Sequence, residues 1–150
     1  MAETLLVHAT TVAIGGRAVL LRGPSGSGKS DLALRLIDAG ARLVADDQSE
    51  LWPEGDTVLV RAPVAIAGLI EVRGVGILRL EPLPVARLAL VADLVSPEAL
   101  ERMPDQTTEA FFGVSIPTVA LAAFEASAAA KLRFALSAAS GDGIAQRLAL

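Results

Sequence analysis

Short apolar runs separated by turn residues dominate the first part of the chain. Leu5–Val7, 10–14 and 18–22 each have the length of a strand, and Gly15-Gly16 between the last two favours a tight hairpin turn. Further runs predict strands at Arg42–Ala45, 50–53 and Thr57–Arg61. The pattern therefore predicts a sheet to which the segments 5–14 and 48–61 add antiparallel strands.

Helical spacing occurs at two places. After residue 30, Leu32 and Leu36 lie among charged side chains up to Gly40, which favours a helix that ends there. A second helix is predicted from Ser127, as its capping residue, to about Ala139. Residues 66–70 form a further apolar run, and 74–76 are too flexible for a regular element. The sequence then predicts a strand at 87–92, a mobile loop at 96–110 and a last turn at 144–150.

The loop between the strand at 18–22 and the first helix matches a phosphate-binding motif. It reads Gly-Pro-Ser-Gly-Ser-Gly-Lys-Ser, the pattern G-x-x-x-x-G-K-[ST] in its required strand–loop–helix setting. The glycines let backbone N–H groups turn towards an anion, the lysine adds a charge, and the last serine offers a hydroxyl to Mg²⁺. The alternative is a glycine-rich turn that matches by chance. The motif predicts a nucleoside triphosphate site built by Gly23, Pro24, Ser25, Gly26, Ser27, Gly28, Lys29 and Ser30.

Composition narrows the class of protein further. The 150 residues suit a single domain, and 53% of them are hydrophobic, which is ample for a core. There is no cysteine and one histidine, so any metal would be held by oxygen ligands. A net charge of −4 without a basic cluster argues against nucleic acid as a partner. No signal peptide or membrane-spanning run is visible in the sequence, so we expect a cytoplasmic protein without a membrane partner.

Two adjacent carboxylates, Asp46 and Asp47, follow the strand Arg42–Ala45. The carboxyl ends of adjacent parallel strands meet at one crevice of an open α/β sheet, so the pair is expected near the terminal phosphate. One carboxylate could then orient Mg²⁺ or its water while the other accepts a proton from an attacking hydroxyl. A solvated acidic turn at a strand end is the alternative interpretation.

Glu71, Arg73 and His8 are further candidates. Glu71 and Arg73 are two residues apart and would share a face of an extended segment, so Glu71 could reach Mg²⁺ and Arg73 a phosphate. A surface salt bridge between them is the alternative. His8 is the only histidine, and a structural or exposed role is as compatible with its local sequence as a catalytic one.

These segments, in this order, resemble a known family. His8, the phosphate-binding loop, Val44-Ala45-Asp46-Asp47 and the stretch 68–77, which contains Glu-Val-Arg-Gly-Val-Gly-Ile, are similar to the C-terminal catalytic domain of HPr kinase/phosphorylase. That bacterial enzyme acts on a serine of the phosphocarrier HPr. The resemblance covers about residues 5–80, and its stretch 71–77 is more specific than the phosphate-binding loop alone.

The resemblance implies a role for each matching residue. Residues 23–30 would bind ATP, with Lys29 on its outer phosphates and with Ser30 and Glu71 as ligands of Mg²⁺. Asp47 would accept the proton during phosphorylation, supported by Asp46 and His8. Residues 70–79 would serve the chemistry, Arg73 among them, and a later catalytic arginine of the family matches Arg102. The implied fold is a P-loop kinase domain of the HPr kinase and PEP carboxykinase type, with a central mixed sheet flanked by helices.

The chain also departs from the family pattern. It starts almost at His8, so we expect one catalytic domain over residues 1–150 without the family's N-terminal regulatory domain, as in the short form found in proteobacteria. The family's Pro-Gly-Arg-Asn-like loop, tied to dephosphorylation, is replaced by 122–127, which contains no arginine. The resemblance therefore implies kinase activity and leaves phosphorylase activity open. It also implies a homo-oligomer, because the family forms hexamers.

Three functions remain in competition from the sequence. The favoured one is an ATP-dependent serine kinase of an HPr-type phosphocarrier of the phosphotransferase system. A small-molecule P-loop kinase of the shikimate- or nucleotide-kinase type would need an arginine-rich lid, and the segment 96–110 holds only Arg102. A non-catalytic nucleotide-binding regulatory module is disfavoured, because Lys29, Asp47 and Glu71 are all present.

Overall fold

A mixed sheet with two helices on one face forms the fold. In the computed structural model, which describes residues 3–148, the elements in chain order are β1 Leu5–Val7, β2 Ala9–Ile14, β3 Arg17–Arg22, α1 Lys29–Asp38, β4 Arg42–Ala45, β5 Ser49–Glu54, β6 Thr57–Arg61, β7 Leu69–Val72, β8 Gly76–Arg79, β9 Ala86–Leu94, β10 Thr107–Phe111, β11 Val114–Leu121 and α2 Ala128–Ser140. Short 3₁₀ turns lie at Val64–Ile66 and Pro97–Ala99. Neither α1 nor α2, nor any other helix in residues 3–148, is long and apolar enough to cross a bilayer.

The strand order of the main sheet determines which loops meet. Strands run β1-β5-β6-β9-β3-β2-β4, and β11 pairs with β9 and with β10. The pairs β3/β9 and β9/β11 are parallel, and the other pairs of this sheet are antiparallel. Because β2 lies antiparallel between β3 and β4, these two strands point the same way. The carboxyl ends of β4, β3, β9 and β11 and the start of β2 therefore share one edge of the sheet, which we refer to as the site edge.

Two apolar cores cover the two faces of the sheet. Both helices pack on one face, where Leu32 and Leu36 of α1 and Leu132 and Leu136 of α2 meet side chains of β2, β3, β9 and β11. On the other face, β5 contacts β2 and β6 contacts β4, so the sheet curls over a second core. Removing apolar area from water on both faces supplies the main driving force for folding. The central strands β2, β3 and β9 contribute side chains to both cores.

The predictions for the first 61 residues and for the two helices are confirmed. The strands, the phosphate-binding loop between β3 and α1, and the antiparallel additions all lie where the apolar pattern placed them. The α/β class with a central mixed sheet is confirmed as well. Ser127 occupies the position before α2, but its hydroxyl makes no capping hydrogen bond.

The predictions for the middle of the chain are partly wrong. The run 66–70 is divided between a 3₁₀ turn and β7. Residues 73–75 form the turn of a separate hairpin of β7 and β8, so the prediction of no regular element at 74–76 is wrong for Gly76, which begins β8. The predicted loop 96–110 ends in β10, and the following β11 was not predicted. Proline removes a donor and argues against a strand interior. Pro117 is tolerated in β11 because the pairing with β9 begins only at Thr118.

The prediction of a last turn at 144–150 is wrong for 144–148, which form no regular element, and residues 149–150 lie outside the described range.

A charged cluster closes the site edge on the side of β9 and β10. The guanidinium of Arg22, at the end of β3, donates to Asp93 at 2.8 and 3.1 Å and to Glu109 at 2.8 and 2.7 Å. The hydrogen bonds to Glu109 raise the pKa of Arg22 most, followed by those to Asp93. Arg22 in turn lowers the pKa of Glu109. The cluster therefore joins three strands just before the phosphate-binding loop begins at residue 23.

This cluster predicts an acid-dependent loss of stability. The pKa of Glu109 is lower in the folded protein than its ordinary value of 4.5, so its contribution is present above that pH and is lost as the pH falls through the lowered pKa. We expect Glu109→Gln to make the free energy of unfolding less dependent on pH below 4.5. Urea unfolding at a series of pH values measures this. Glu98→Gln, on an exposed turn, is the matched control, and equal pH dependence of all three proteins would contradict the prediction.

Candidate active site

The phosphate-binding loop depends on glycines at two crowded positions. At Gly28, which has φ of 98° and precedes the first residue of α1, a Cβ would lie 2.8 Å from the Cβ of Ala123 and 3.0 Å from a ring carbon of Phe124. At Gly23 a Cβ would lie 2.4 Å from Ser27 Oγ. Any larger residue would displace the loop from α1 or from the segment after β11. The loop therefore keeps its backbone close to the helix N-terminus, where N–H groups favour an anion.

Lys29 is held inside this loop. Its side chain is buried, and Nζ donates to the carbonyl oxygens of Gly23 at 2.7 Å and Pro24 at 3.2 Å. Two neutral carbonyls do not neutralise an ammonium group, so the loop carries a net positive charge. Ser27 Oγ is buried nearby and has no hydrogen-bond partner among the described residues. An uncompensated cation and a free hydroxyl in a glycine-rich loop fit a phosphate group.

Asp46 connects four elements at the site edge. Its carboxylate accepts hydrogen bonds from Ser30 Oγ of α1 at 2.7 Å, Thr10 Oγ1 of β2 at 3.1 Å and the backbone N–H of Glu71 in β7 at 3.1 Å. Asp46 itself follows β4 and is only 8% exposed. A buried carboxylate needs such donors, because leaving a charge unpaired away from water is costly. These contacts place the end of α1 that carries Ser30 against the first of the two carboxylates.

Asp47 points elsewhere, although it is the next residue. Its φ of 67° is in the left-handed region, which is uncommon for a residue other than glycine and is tolerated best by Asn and Asp. Its backbone N–H donates to Thr10 Oγ1 at 3.1 Å, and its Oδ1 lies 3.1 Å from His8 Nε2. Both side chains are largely exposed, at 63% for Asp47 and 61% for His8. The chain thus presents one buried and one accessible carboxylate side by side.

The structure brings together most of the residues predicted from the sequence. Lys29, Ser30, Asp46, Asp47 and His8 lie at the site edge, and the backbone of Glu71 joins them. One premise was wrong: β4 is not adjacent to β3. The antiparallel β2 separates them, and this insertion also brings His8, which immediately precedes β2, beside Asp47.

Two predicted arginines lie apart from this group. Arg73 falls in the turn after β7, so it does not continue the extended segment of Glu71, and the prediction of a shared face is wrong. Arg102 is exposed in the irregular stretch before β10. Within residues 3–148, neither arginine makes a hydrogen bond or an ion pair with the phosphate-binding loop.

Sequence reasoning missed three residues that support the site. Thr10 is fully buried and bonds to both aspartates, and a polar side chain within an apolar strand was the available signal. Ala123 and Phe124 pack on Gly28 from the segment after β11. That contact joins distant parts of the chain, and no local pattern indicates it.

The donor set of the site fits a metal ion that arrives with a nucleotide. Residues 3–148 contain no group of three or more His, Asp or Glu side chains that could hold a metal alone. Mg²⁺ on a nucleotide needs only one or two protein oxygens besides phosphate and water. The Ser30 hydroxyl and the Asp46 carboxylate, 2.7 Å apart, provide such oxygens, and the side chain of Glu71 is exposed nearby.

The fold and the site define a P-loop nucleotide-binding domain with an aspartate pair beside the loop. The sequence matches the family described as HPr Serine kinase C-terminal domain over residues 1–132. HPr kinase/phosphorylase of Geobacillus thermodenitrificans is 43% identical over 102 residues, which are 63% of this chain and 33% of that protein. The protein of the same name from Exiguobacterium sibiricum is 47% identical over 79 residues, 52% of this chain and 25% of the relative.

A solved structure agrees with these sequence matches. The Hpr(Ser) kinase/phosphatase from Coxiella burnetii superposes with a TM-score of 0.74 and 26% identity, over 85% of this chain and 91% of that one. The chain therefore belongs to the HPr serine kinase C-terminal domain family, and the resemblance inferred from residues 5–80 is confirmed and extends to residue 132. The chain spans about a third of the length of the first curated relatives it matches.

The double role of Thr10 predicts a large effect for a small change. Thr10→Val keeps the shape of the side chain but leaves Asp46 Oδ1 and the Asp47 N–H each short of a partner. We expect the free energy of unfolding to fall by about 1–3 kcal/mol, because the buried Asp46 carboxylate loses a hydrogen bond and keeps that of Ser30 to the same oxygen. Denaturant unfolding measures the loss.

Thr107→Val, in the exposed pair of Thr107 and Thr118, is the matched control. It should change the free energy of unfolding by no more than about 0.5 kcal/mol. Equal effects of the two substitutions would contradict the role given to Thr10.

Proposed function

We propose that the chain is an ATP-dependent serine kinase that phosphorylates an HPr-type phosphocarrier protein. The observation that carries the proposal is the juxtaposition of the phosphate-binding loop with two differently placed aspartates, through the 2.7 Å contact of Ser30 and Asp46. The family membership and the names of the relatives, HPr kinase/phosphorylase, support a serine of HPr as the acceptor. ATP and Mg²⁺ are cytoplasmic reactants, so the proposal places the reaction in the cytoplasm.

The proposed roles follow the positions of the side chains. The loop and Lys29 bind the phosphates, and Ser30 with Asp46 or Glu71 would hold Mg²⁺, which would neutralise charge on the transferred phosphoryl group. The accessible Asp47 accepts the proton of the attacking serine hydroxyl, and His8 orients its carboxylate. Asp47 suits this role because a carrier protein can reach it from solvent, whereas Asp46 is enclosed.

Other parts of the earlier hypothesis stay predictions. Arg73 in the β7–β8 turn and Arg102 before β10 are both exposed, so each could meet a phosphate group only when a protein partner is bound. A homo-oligomer also stays a prediction. The segment 122–127 contains no arginine, and we propose the kinase direction alone. A small-molecule kinase is disfavoured, because the segment 96–110 offers one arginine rather than an arginine-rich lid.

Direct phosphorylation tests the proposal. The protein is incubated with ATP, Mg²⁺ and an HPr-type carrier, and the carrier is analysed by mass spectrometry for phosphoserine. A carrier in which the phosphorylated serine is replaced by alanine is the control. Phosphate on serine in the first carrier only is the expected result. No phosphorylation of a folded carrier by protein that binds ATP would refute the proposed activity.

Replacing the proton acceptor gives the sharpest prediction about mechanism. Asp47→Asn tolerates the same left-handed backbone but cannot accept a proton. We expect phosphoryl transfer to the carrier to fall by roughly 10²-fold or more while nucleotide binding is kept. Single-turnover transfer rates and ADP titrations measure the two quantities. Transfer at the parental rate would remove Asp47 from the chemistry, and a larger loss for Asp46→Asn than for Asp47→Asn would reverse the two roles.

A further inference from the structure

A cavity of about 640 Å³ lies against the phosphate-binding loop, on the side of β9 and β11. Its walls come from the loop itself, from the segment after β9 and from the segment after β11. The lining residues are Pro24, Ser25, Gly26, Ser27, Leu94, Val95, Ser96, Pro97, Ala122, Phe124 and Glu125. This volume is typical of sites for small organic ligands, which are mostly apolar with a few polar groups.

The strand order fixes which end of a nucleotide this cavity can receive. In a P-loop, backbone N–H groups hold the inner phosphates, while the lysine and the following serine reach the outer ones. Ser30 contacts Asp46, which follows β4, so the outer phosphates lie on the β2 and β4 side of β3. The cavity lies at the carboxyl ends of β9 and β11, on the opposite side of β3. A triphosphate along the loop therefore directs its nucleoside end towards the cavity.

Phe124 is the large aromatic side chain of this cavity. It is 71% exposed, although its ring comes close to Gly28 of the loop. The neighbouring residues are anchored: Arg35 of α1 donates to the carbonyl oxygens of Ala123 and Glu125, and Lys131 lies 2.9 Å from the Glu125 carboxylate. An aromatic ring held by a fixed backbone, with a free face beside a phosphate site, suits stacking with a flat base.

The polar groups of the cavity suit a nucleoside rather than a lipid or a peptide. The hydroxyls of Ser25 and Ser96 can each donate or accept a hydrogen bond, as ribose hydroxyls and base edges require. Glu125 is the one carboxylate among the lining residues, and its charge is balanced by Lys131.

We propose that this cavity is the base-binding subsite of the nucleotide donor, with Phe124 as the side chain on which the base stacks. The inference rests on the proposed function only in taking a nucleoside triphosphate as the phosphate donor. It assigns a binding role to the segment after β11, which otherwise packs on Gly28 and α1.

Binding of ADP is compared with binding of inorganic pyrophosphate, which shares the diphosphate but has no base. We expect Phe124→Ala to weaken ADP binding by about tenfold, because base–aromatic stacking is lost, and to leave pyrophosphate binding unchanged. Phe134→Ala is the matched control, since Phe134 is also an exposed phenylalanine, on α2 and outside the cavity lining. It should alter neither affinity. Calorimetric titration of the full chain measures the ADP and pyrophosphate affinities of the parent and of both variants.

A second variant tests the cavity without removing Phe124. Ser96 is exposed at its wall, so Ser96→Trp should fold and fill the space, abolishing ADP binding while pyrophosphate still binds. If Phe124→Ala does not fold, the result for Ser96→Trp alone decides whether the cavity binds the base. Unchanged ADP affinity in the variants, or equal losses for ADP and pyrophosphate, would overturn the proposal.

These outcomes are separate from a failure of the proposed function. Protein that shows the expected ADP pattern but does not phosphorylate a carrier would keep the base subsite and refute the carrier kinase. Protein that phosphorylates the carrier without the expected ADP pattern would keep the carrier kinase and refute the base subsite.

Discussion

The hydrogen bonds to the buried carboxylate of Asp46 are the interaction on which the rest of the site depends. Donors from β2, α1 and β7 converge on a side chain that follows β4, so one carboxylate fixes the relative positions of four elements. Without these donors, a charge at 8% exposure would be costly to bury. Because Ser30 is one of them, the same bonds set the phosphate-binding loop against the aspartate pair. In the proposed kinase, binding of the outer phosphates and the position of the proton acceptor Asp47 would thus be coupled through Asp46.

The backbone turn at Asp47 gives two adjacent carboxylates different environments. In a continuous strand, the side chains of two successive residues would point to opposite faces of the sheet. Asp47, in a left-handed conformation two residues after the end of β4, turns its side chain to solvent beside His8. Thr10 stabilises both halves, since its hydroxyl donates to Asp46 and accepts from the Asp47 N–H. One aspartate is therefore enclosed beside the phosphate-binding loop, and the other is accessible from solvent, as the proposed reaction with a carrier protein requires.

The sequence predicted what local patterns and motifs can encode. Residues 23–30 matched a motif whose geometry is fixed by glycine and lysine, and the apolar runs up to residue 61 gave the strands. The family resemblance placed His8 with Asp47, which no local pattern indicates. β11 was not predicted. Pro117 within it is unfavourable in a strand interior, and its tolerance depends on where the pairing with β9 begins, which no local pattern indicates. Phe124 and Thr10 were missed because their roles come from contacts with residues far along the chain.

The magnesium dependence of nucleotide binding tests most directly whether Asp46 and Asp47 have separate roles. ADP titrations at a series of Mg²⁺ concentrations are compared for the parent chain, Asp46→Asn and Asp47→Asn. We expect Asp46→Asn to raise the Mg²⁺ concentration for half-maximal enhancement of ADP binding by about tenfold or more, since carboxylate oxygens are preferred ligands of Mg²⁺. Asp47→Asn should leave that concentration unchanged. A shift for Asp47→Asn without one for Asp46→Asn would contradict the division of roles between the two aspartates.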